Sequence, residues 1–325
     1  MEGTTELALG DRRRVRFLGR GSILAALLVI SLFVPLLLAN EYYLRILVMI
    51  LIYSILALAL NLATGFTGLL SFCQASFAGV GAYTTAILLM RHGASYPSTV
   101  LASIVSAFIF GVAMGIFTIR AGGLYFSVIT IGFAEIFRII TLNWTSLTEG
   151  ATGMVGIPLP VIFSLRIKSM AEFYYLALFY VVFSYVSLWL LVRSKFGRAI
   201  QAIRDDALVG QTMGINVKLY STLSFAIGAA YAGLAGNFLA VFLTTISPTN
   251  FTVDESMLIL TMIVVGGLGS LEGSFVGAAI LMIATELFRP LYAYRVMLIG
   301  FIMLIMPIWR RGGLIGVHLE RRGTS

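Results

Sequence analysis

The chain has 325 residues, of which 59% are hydrophobic and only 11% are charged, and its formal net charge is +8. A soluble domain carries about 25% charged residues and could not cover so much apolar surface, so the composition excludes an ordinary soluble protein. The basic excess does not indicate nucleic acid binding, because 14 of the 22 lysines and arginines lie beside apolar segments, in residues 1–20, 193–218 and 310–325, as the positive-inside rule expects of cytoplasmic loops.

Apolar stretches predict the transmembrane segments, since a spanning helix needs roughly 20 predominantly apolar residues. Five such stretches occur in the first half of the chain, at 22–39, 44–63, 69–90, 98–119 and 124–142, the last two separated by a tight turn at 120–123. Three more lie at 172–192, 220–245 and 256–288, and a short one lies at 296–309. The fold prediction is therefore an all-α polytopic membrane protein with about eight to ten transmembrane helices.

The connections and tails set the predicted topology. Residues 1–20 form a cytoplasmic N-terminal tail, 21–309 the transmembrane permease domain and 310–325 a cytoplasmic C-terminal tail. Alternation from a cytoplasmic start places the turn-rich connection 143–171 outside and the basic segment 193–219 inside. A single crossing at 256–288 would put the arginines of the C-terminal tail outside, so we expect a helix that re-enters or crosses twice, broken at residues 266–269.

Two glycine-punctuated breaks are the main candidates for the translocation pathway. Unwound backbone inside a membrane is tolerated only where protein or a water-filled cavity satisfies its polar groups, and half-helix N-termini there can face a carboxylate. The alternative is close helix packing through small residues, without solute contact. The candidates at the two breaks are Gly65, Gly68, Ser71, Gln74, Ser76, Gly79, Gly266, Gly267, Gly269 and Ser270.

A short internal sequence repeat accompanies the two breaks. Ser76-Phe77-Ala78-Gly79 recurs as Ser274-Phe275-Val276-Gly277, each soon after a glycine-rich stretch. Paired interrupted segments fit a transporter built from structural repeats, and they also fit chance recurrence in a composition rich in small residues.

Glu135 and Arg138 lie within the fifth span, three residues apart and therefore on one helical face. Charges inside a membrane need a partner or a wet cavity, so the pair is a candidate for lining or gating the pathway. The favoured interpretation is a mutually neutralising pair that packs one helix against another.

Residues 193–219 have the features of a docking element. The stretch from Ala199 to Met213 has helical propensity that ends at Gly214, which predicts a short amphipathic helix projecting into the cytoplasm. Such a helix could transmit the movement of a partner to both flanking spans, whereas the alternative is a solvated connecting loop.

Enzymatic signals are absent from the sequence, and no catalytic residue, cofactor or metal site is predicted. His92 and His318 lie outside the predicted transmembrane stretches and belong to no cluster of metal-ligand residues. The three lysines follow Ile167, Ser194 and Val217, so no Gly-Lys pair and no Walker A loop exists, and any energy from ATP must come from another subunit. A stand-alone secondary transporter or channel, with Glu135 for ion coupling, and a structural membrane protein remain alternatives.

Several motifs together resemble the permease subunits of ABC importers for branched-chain amino acids, in particular the longer of their two permease types. The resemblance covers roughly residues 42–316, and the motifs that carry it are Gly68-Leu69-Leu70-Ser71, Gly123-Leu124-Tyr125-Phe126, Phe133-Ala134-Glu135, Thr148-Glu149-Gly150-Ala151-Thr152-Gly153, Gly197-Arg198-Ala199, Gly214-Ile215-Asn216 and Gly266-Gly267-Leu268-Gly269-Ser270.

The resemblance implies a heterodimer with a second permease in the bacterial inner membrane, two cytoplasmic ATPase subunits and an extracytoplasmic solute-binding protein. It assigns 193–219 as the ATPase-docking loop, with Gly197, Arg198, Arg204, Asp205, Asp206, Gly210, Gly214 and Asn216 as its candidate residues. Val209-Gly210 stand where the family commonly has two alanines, so fine contacts do not carry over. The implied solute is a branched-chain or related small amino acid, and importers of urea and short amides share the resemblance.

Overall fold

A computed structural model describes residues 31–33, 35, 40–119, 121, 123–162, 165–288, 300, 313 and 314. Contacts divide the chain into a first unit, Met1–Arg45, and a second unit, Ile46–Ser325, which holds nearly all of the described elements. The predicted N-terminal tail lies outside the described residues, as do most of the first span, most of the last span, and most of the C-terminal tail.

The described elements are almost all helices. Helix α1 (Glu41–Asn61) continues as a π-helical turn (Leu62–Phe66) and is followed by α2 (Gln74–His92), α3 (Tyr96–Thr118), α4 (Gly123–Asn143), the short α5 (Thr145–Thr148), α6 (Met170–Arg193), α7 (Lys195–Asp205), α8 (Ala207–Thr212), α9 (Val217–Leu243), α10 (Val253–Gly266) and α11 (Leu271–Leu287).

Six helices of the described part are long and apolar enough to cross a membrane, namely Glu41–Phe66, Tyr96–Thr118, Gly123–Asn143, Met170–Arg193, Val217–Leu243 and Pro248–Gly266. The first five match predicted spans to within three residues at each end, whereas Pro248–Gly266 overlaps only the first part of the predicted stretch 256–288. The helix in the predicted span 69–90, Gln74–His92, is not among the six. The expected all-α polytopic membrane fold is therefore confirmed, while the count of eight to ten helices stays a prediction because 22–39 and 296–309 are largely undescribed.

The predicted outer connection 143–171 is joined to the chain that follows α9. In its described residues, the chain between α4 and α6 forms short elements, and the strand Met154–Val155 (β1) pairs antiparallel with Thr245–Ile246 (β4). A second small hairpin pairs Val161–Ile162 (β2) with Leu165–Arg166 (β3). The connection after β4 turns inward, since Pro248 is buried and Phe251 is only 1% exposed.

Helix α9 is the packing centre of the second unit, and small residues make that possible. A Cβ built on Gly81 would lie 2.1 Å from the Gly233 carbonyl oxygen, and one on Gly236 would lie 1.8 Å from the Ala78 carbonyl oxygen. Such close backbone approach is how helices associate without a hydrophobic driving force between them. The Asn237 side chain in the same helix donates to Thr85 Oγ1 at 2.6 Å, which gives this contact a polar core.

The apolar stretch 256–288 is two helices that fold back on each other, with the break at the predicted glycines. A Cβ on Gly266 would lie 1.9 Å from the Gly273 carbonyl oxygen, and one on Gly277 would lie 1.8 Å from the Met262 carbonyl oxygen. Because the contacting positions run in opposite directions along the chain, α10 and α11 are antiparallel. The expected re-entry or double crossing at residues 266–269 therefore has a structural basis.

The helix predicted from Ala199 to Met213 is wrong in one respect, because the structure interrupts it at Asp206. Asp206 is extended (φ −158°), and its side chain accepts hydrogen bonds from the backbone N–H groups of Leu208 at 2.8 Å and Val209 at 3.2 Å. Aspartate competes with the backbone inside a helix and favours the N-cap position, so one helix becomes two, α7 and α8. The chain leaves α8 through Gly214, whose φ of +81° suits glycine.

Candidate translocation and docking site

The first break, between α1 and α2, is an irregular backbone segment whose polar groups are satisfied locally. The Thr64 hydroxyl donates to the Leu69 carbonyl oxygen at 2.9 Å, and the Thr67 hydroxyl donates to the Leu62 carbonyl oxygen at 3.0 Å. Gly68 has a φ of +82° and redirects the chain. Threonine side chains thus replace the helical hydrogen bonds that the break removes.

Neighbouring helices complete this hydrogen bonding with hydroxyl groups. In α4, Ser127 donates to the Leu70 carbonyl oxygen at 2.9 Å and Thr130 accepts from the Phe72 backbone N–H at 3.1 Å. In α10, Ser256 accepts from the Ala75 N–H at 3.0 Å. Hydrogen bonds from α4 and α10 therefore stabilise the irregular backbone of the first break.

The two breaks meet each other inside the protein. A Cβ on Gly65 would lie 2.5 Å from the Gly269 backbone nitrogen, so a side chain at Gly65 would separate the two segments. The Asn61 side chain joins them: its Oδ1 accepts from the Gly269 N–H at 2.9 Å, and its Nδ2 donates to the Ser270 carbonyl oxygen at 2.8 Å. The same Nδ2 donates to the Ser274 hydroxyl at 2.8 Å.

Arg204 of α7 contacts both breaks. A Cβ on Gly68 would lie 3.5 Å from Arg204 Cγ, and one on Gly269 would lie 2.6 Å from Arg204 Nη1. The side chain thus passes over Gly68 and ends beside Gly269. A cation here lies near the carboxyl end of α1, where the partial charge of the helix is negative, so its position is electrostatically favourable.

An apolar cluster ties α7 to the same place. Its buried members come from α1, the π-helical turn, α6, α7 and the start of α11, and they are Leu58, Leu62, Phe66, Leu188, Ile200 and Leu271. Because Ile200 packs with residues from both breaks, α7 cannot shift without disturbing them. Residues 313 and 314 lie here too, since the Leu314 N–H donates to the Val265 carbonyl oxygen at 2.9 Å.

The other predicted docking residues have different positions. Gly197 and Gly210 are buried, whereas Arg198, Asp205 and Gly214 are exposed. Asp206 caps α8, and Asn216 caps α9 by accepting from the Leu219 N–H at 3.1 Å. Arg198, Asp205 and Gly214 are therefore the three of the eight that are exposed and do not cap the N-terminus of a helix.

The exposed surface of α8 carries apolar side chains that the sequence prediction did not single out. Leu208 is 73% exposed, Val209 51% and Met213 76%. We call these three residues the α8 patch. Large apolar side chains on a polar segment predicted to lie in the cytoplasm are typical of a protein contact surface. Their sequence signal is a set of large apolar residues placed between polar ones in a basic segment.

The remaining glycine-break candidates form a second group at the start of α2. Ser71, Gln74 and Ser76 are buried, and Gln74 Nε2 and Ser76 Oγ have no hydrogen-bond partner among the described residues. A Cβ on Gly79 would lie 2.6 Å from the Phe137 ring and 3.0 Å from Phe251. This group lies between α2, α4 and the inward-turning connection, apart from Arg204.

Glu135 and Arg138 form a bidentate ion pair on the outer surface of α4. Arg138 Nε donates to both Glu135 carboxylate oxygens at 3.0 Å. The Arg138 and Glu135 side chains are 30% and 44% exposed. The described residues bring this pair into no contact with the glycine breaks.

Two further polar residues escaped the sequence prediction. Asn61 is one of them, and its available signal is an isolated amide near the end of the apolar stretch 44–63. Glu255 accepts a hydrogen bond from the Tyr53 hydroxyl, which lies midway along the span Glu41–Phe66. Glu255 directly precedes the predicted apolar stretch 256–288 and belongs to none of the predicted spans.

Comparison with known proteins gives a consistent result. The family described as "Branched-chain amino acid transport system / permease component" matches residues 42–307. The high-affinity branched-chain amino acid transport system permease protein LivM of Salmonella typhimurium is 34% identical over 90% of this chain and 74% of its own length. LivM of Escherichia coli is 33% identical over 81% and 68%, respectively.

Another permease protein of Escherichia coli, LivH, is also similar to this chain. LivH of Escherichia coli is 28% identical over 72% of this chain and 81% of its own length. No solved structure matches the chain at a significant level.

Proposed function

This chain belongs to the permease-component family of branched-chain amino acid transport systems, and we propose that it carries a branched-chain amino acid inward, driven by ATPase subunits docked on α7 and α8. It is a membrane-embedded permease subunit of an ABC importer and not an enzyme. The family matches over most of its length, so this assignment applies to the whole described fold.

One observation carries the mechanism: α7 contacts both glycine breaks through Arg204 and Ile200. A docking helix that touched only one flanking span could tilt that span alone. Here a displacement of α7 acts on residues near Gly68 and near Gly269 together. ATP-driven movement of the docked subunits would thus change both interrupted segments in one step, which is what a switch of access across the membrane requires.

The α8 patch supplies the contact with the ATPase. Its three apolar side chains belong to the same segment as the exposed Arg198 and Asp205 of α7, so we expect a partner groove with an apolar floor and a charged rim. Such an arrangement matches the usual anatomy of a protein interface, with an apolar centre and polar edge.

The solute assignment rests on relatives whose names specify branched-chain amino acid transport. The second permease, the two ATPases, the extracytoplasmic binding protein and the inner-membrane location complete the proposal. The joined outer connections, which contain β1 and β4, are the surface we assign to the binding protein, because their pairing gives that side a fixed backbone.

Uptake by the reconstituted importer tests this function. The chain would be purified with its second permease and ATPases, placed in proteoliposomes with ATP, and supplied with the binding protein and radiolabelled leucine. We expect ATP-dependent accumulation of leucine that excess valine and isoleucine suppress and that excess urea or acetamide leaves unchanged.

Two results would contradict parts of the proposal. Suppression by urea or acetamide, but not by valine, would replace the amino acid by a short amide. Accumulation of solute against a gradient by the chain alone, without ATP, would identify a secondary transporter.

A further inference from the structure

Three spanning helices, α3, α4 and α6, present long exposed faces in the described part of the chain. On α3 and α6 the exposed side chains away from the helix ends are apolar, for example Ile109, Phe117, Phe179 and Phe183. The charges of α6 lie only in its first and last turns, at Glu172 and Arg193. Both faces are therefore compatible with acyl chains.

The exposed face of α4 differs because it carries the Glu135–Arg138 ion pair. Glu135 is eight residues from the end of α4 at Asn143, which is about 12 Å along the helix axis. Arg138 does not reach back toward the membrane surface, since its guanidinium donates to the carboxylate one turn deeper in the span. The pair neutralises its net charge, but its outward edges stay 30% and 44% exposed.

A lipid environment does not suit those exposed edges. Ionisable residues in membrane spans almost always face a bundle interior or a wet cavity, since acyl chains offer no hydrogen bonds to a carboxylate or a guanidinium. The same face also has room for a neighbour, because a Cβ on Gly132 would meet nothing within 4 Å. An exposed glycine near the middle of a span permits another helix to approach closely.

We infer that this face of α4, centred on Gly132, Glu135, Ile136 and Arg138, is the contact surface for the second permease subunit. The inference rests on the proposed function, which includes such a subunit, and two different permease proteins of Escherichia coli, LivM and LivH, are both similar to this chain. Polar groups of the second permease would satisfy the outward edges of the ion pair, while α3 and α6 face lipid.

A photo-crosslinking experiment on the assembled importer tests the inference. The chain has one cysteine, Cys73, which is 0% exposed, so an introduced cysteine is the accessible thiol in each variant. Ile136→Cys would be labelled with a maleimide benzophenone in membranes that contain the second permease and the ATPases, then irradiated. Ile109→Cys on α3 and Phe179→Cys on α6 are matched controls, because all three positions are more than half exposed.

We expect about tenfold more adduct with the second permease from Ile136→Cys than from either control, as one helix face packs against a partner and the others do not. Adducts with lipid alone from Ile136→Cys would overturn the inference, and so would adducts within the same chain. If the second permease copurifies but crosslinks from Ile109→Cys or Phe179→Cys instead, only the choice of face is wrong. If no second permease copurifies, the heterodimer in the proposed function fails, and this inference fails with it.

A second variant separates the ion pair from packing. Glu135→Gln with Arg138→Gln removes both charges and leaves a hydrogen-bonding amide at each position; it keeps the size of the first side chain and shortens the second. We expect it to lower the recovery of the second permease in detergent, since amides complement the same partner groups less well than ions do. Unchanged recovery would contradict a polar contact at this pair.

Discussion

Asn61 shows how one side chain can hold two distant breaks together. Its amide makes three hydrogen bonds to residues more than 200 positions away in the chain, namely Gly269, Ser270 and Ser274. Asn61 is itself 0% exposed, so removing the amide would leave the partly buried N–H of Gly269 without this partner.

Asn61→Ala should therefore destabilise the protein by about 2 kcal/mol, a typical cost for a buried donor left unsatisfied. The free energy of unfolding in detergent, monitored through the loss of the helical circular dichroism signal, measures the effect. Asn143→Ala is the matched control, since Asn143 is exposed and donates only within its own helix, to the Ile139 carbonyl oxygen. Equal stability of the two variants would show that Asn61 does not hold the breaks together.

Gly269 offers a test of the contact with Arg204. Gly269 has a φ of +77° and a Cβ there would lie 2.6 Å from Arg204 Nη1, whereas Gly93 has a φ of +57° with nothing within 4 Å of its Cβ position. Both alanine variants are strained by roughly 1–2 kcal/mol, but only Gly269→Ala must also displace Arg204. We expect both proteins to assemble and only Gly269→Ala to lose uptake, measured with radiolabelled leucine.

At the scale of elements, α7 and α8 have different roles in the proposed docking segment. Helix α7 turns a buried face inward, with Ile200 and Ile203 at 0% and 7% exposure, while α8 exposes the α8 patch. Asp206 separates the two helices and sets the angle between them. A partner that binds the α8 patch would thus act on α7 through one short, capped joint.

Leu208→Asp in the α8 patch should abolish copurification of the ATPase without lowering the yield of the permease. An ionised carboxylate at an apolar contact surface is costly to desolvate, while on the free surface it remains in water. Val155→Asp on the outer strand β1 is the control, since Val155 is 61% exposed on the other connection. Retention of the ATPase by Leu208→Asp would remove the α8 patch as the docking surface.

The helices themselves could be predicted from the sequence because their signal is local. Long apolar runs fix the spans, and the glycines at 65–68 and 266–269 mark both breaks. The contact between the two breaks could not be predicted because it is not local. Asn61 and Gly269 lie 208 residues apart, and the sequence of neither segment indicates that it contacts the other. Arg204 was predicted as a docking residue, but its contact with the two breaks could not be predicted, since a cation in a basic loop is expected to be solvated.

The whole molecule links a docking segment to two interrupted helices by direct contact. The α8 patch faces outward, α7 lies between it and the breaks, and Asn61 joins one break to the other. The sequence contains no Walker A loop, and we propose that energy from ATP reaches the chain from partner subunits through this segment. Arg204 is the residue at which the route meets both breaks.

The most direct test compares uptake with ATP hydrolysis in the assembled importer that carries Arg204→Gln. Complexes would be purified through a tag on the ATPase, so that only docked permease is counted, with Lys218→Gln as the control for loss of one exposed cytoplasmic charge. The account predicts that Arg204→Gln lowers the leucine transported per ATP by about tenfold, within the usual range for coupling between sites, while Lys218→Gln leaves it unchanged. An unchanged ratio in a fully assembled Arg204→Gln complex would contradict the claim that α7 drives the two breaks through this side chain.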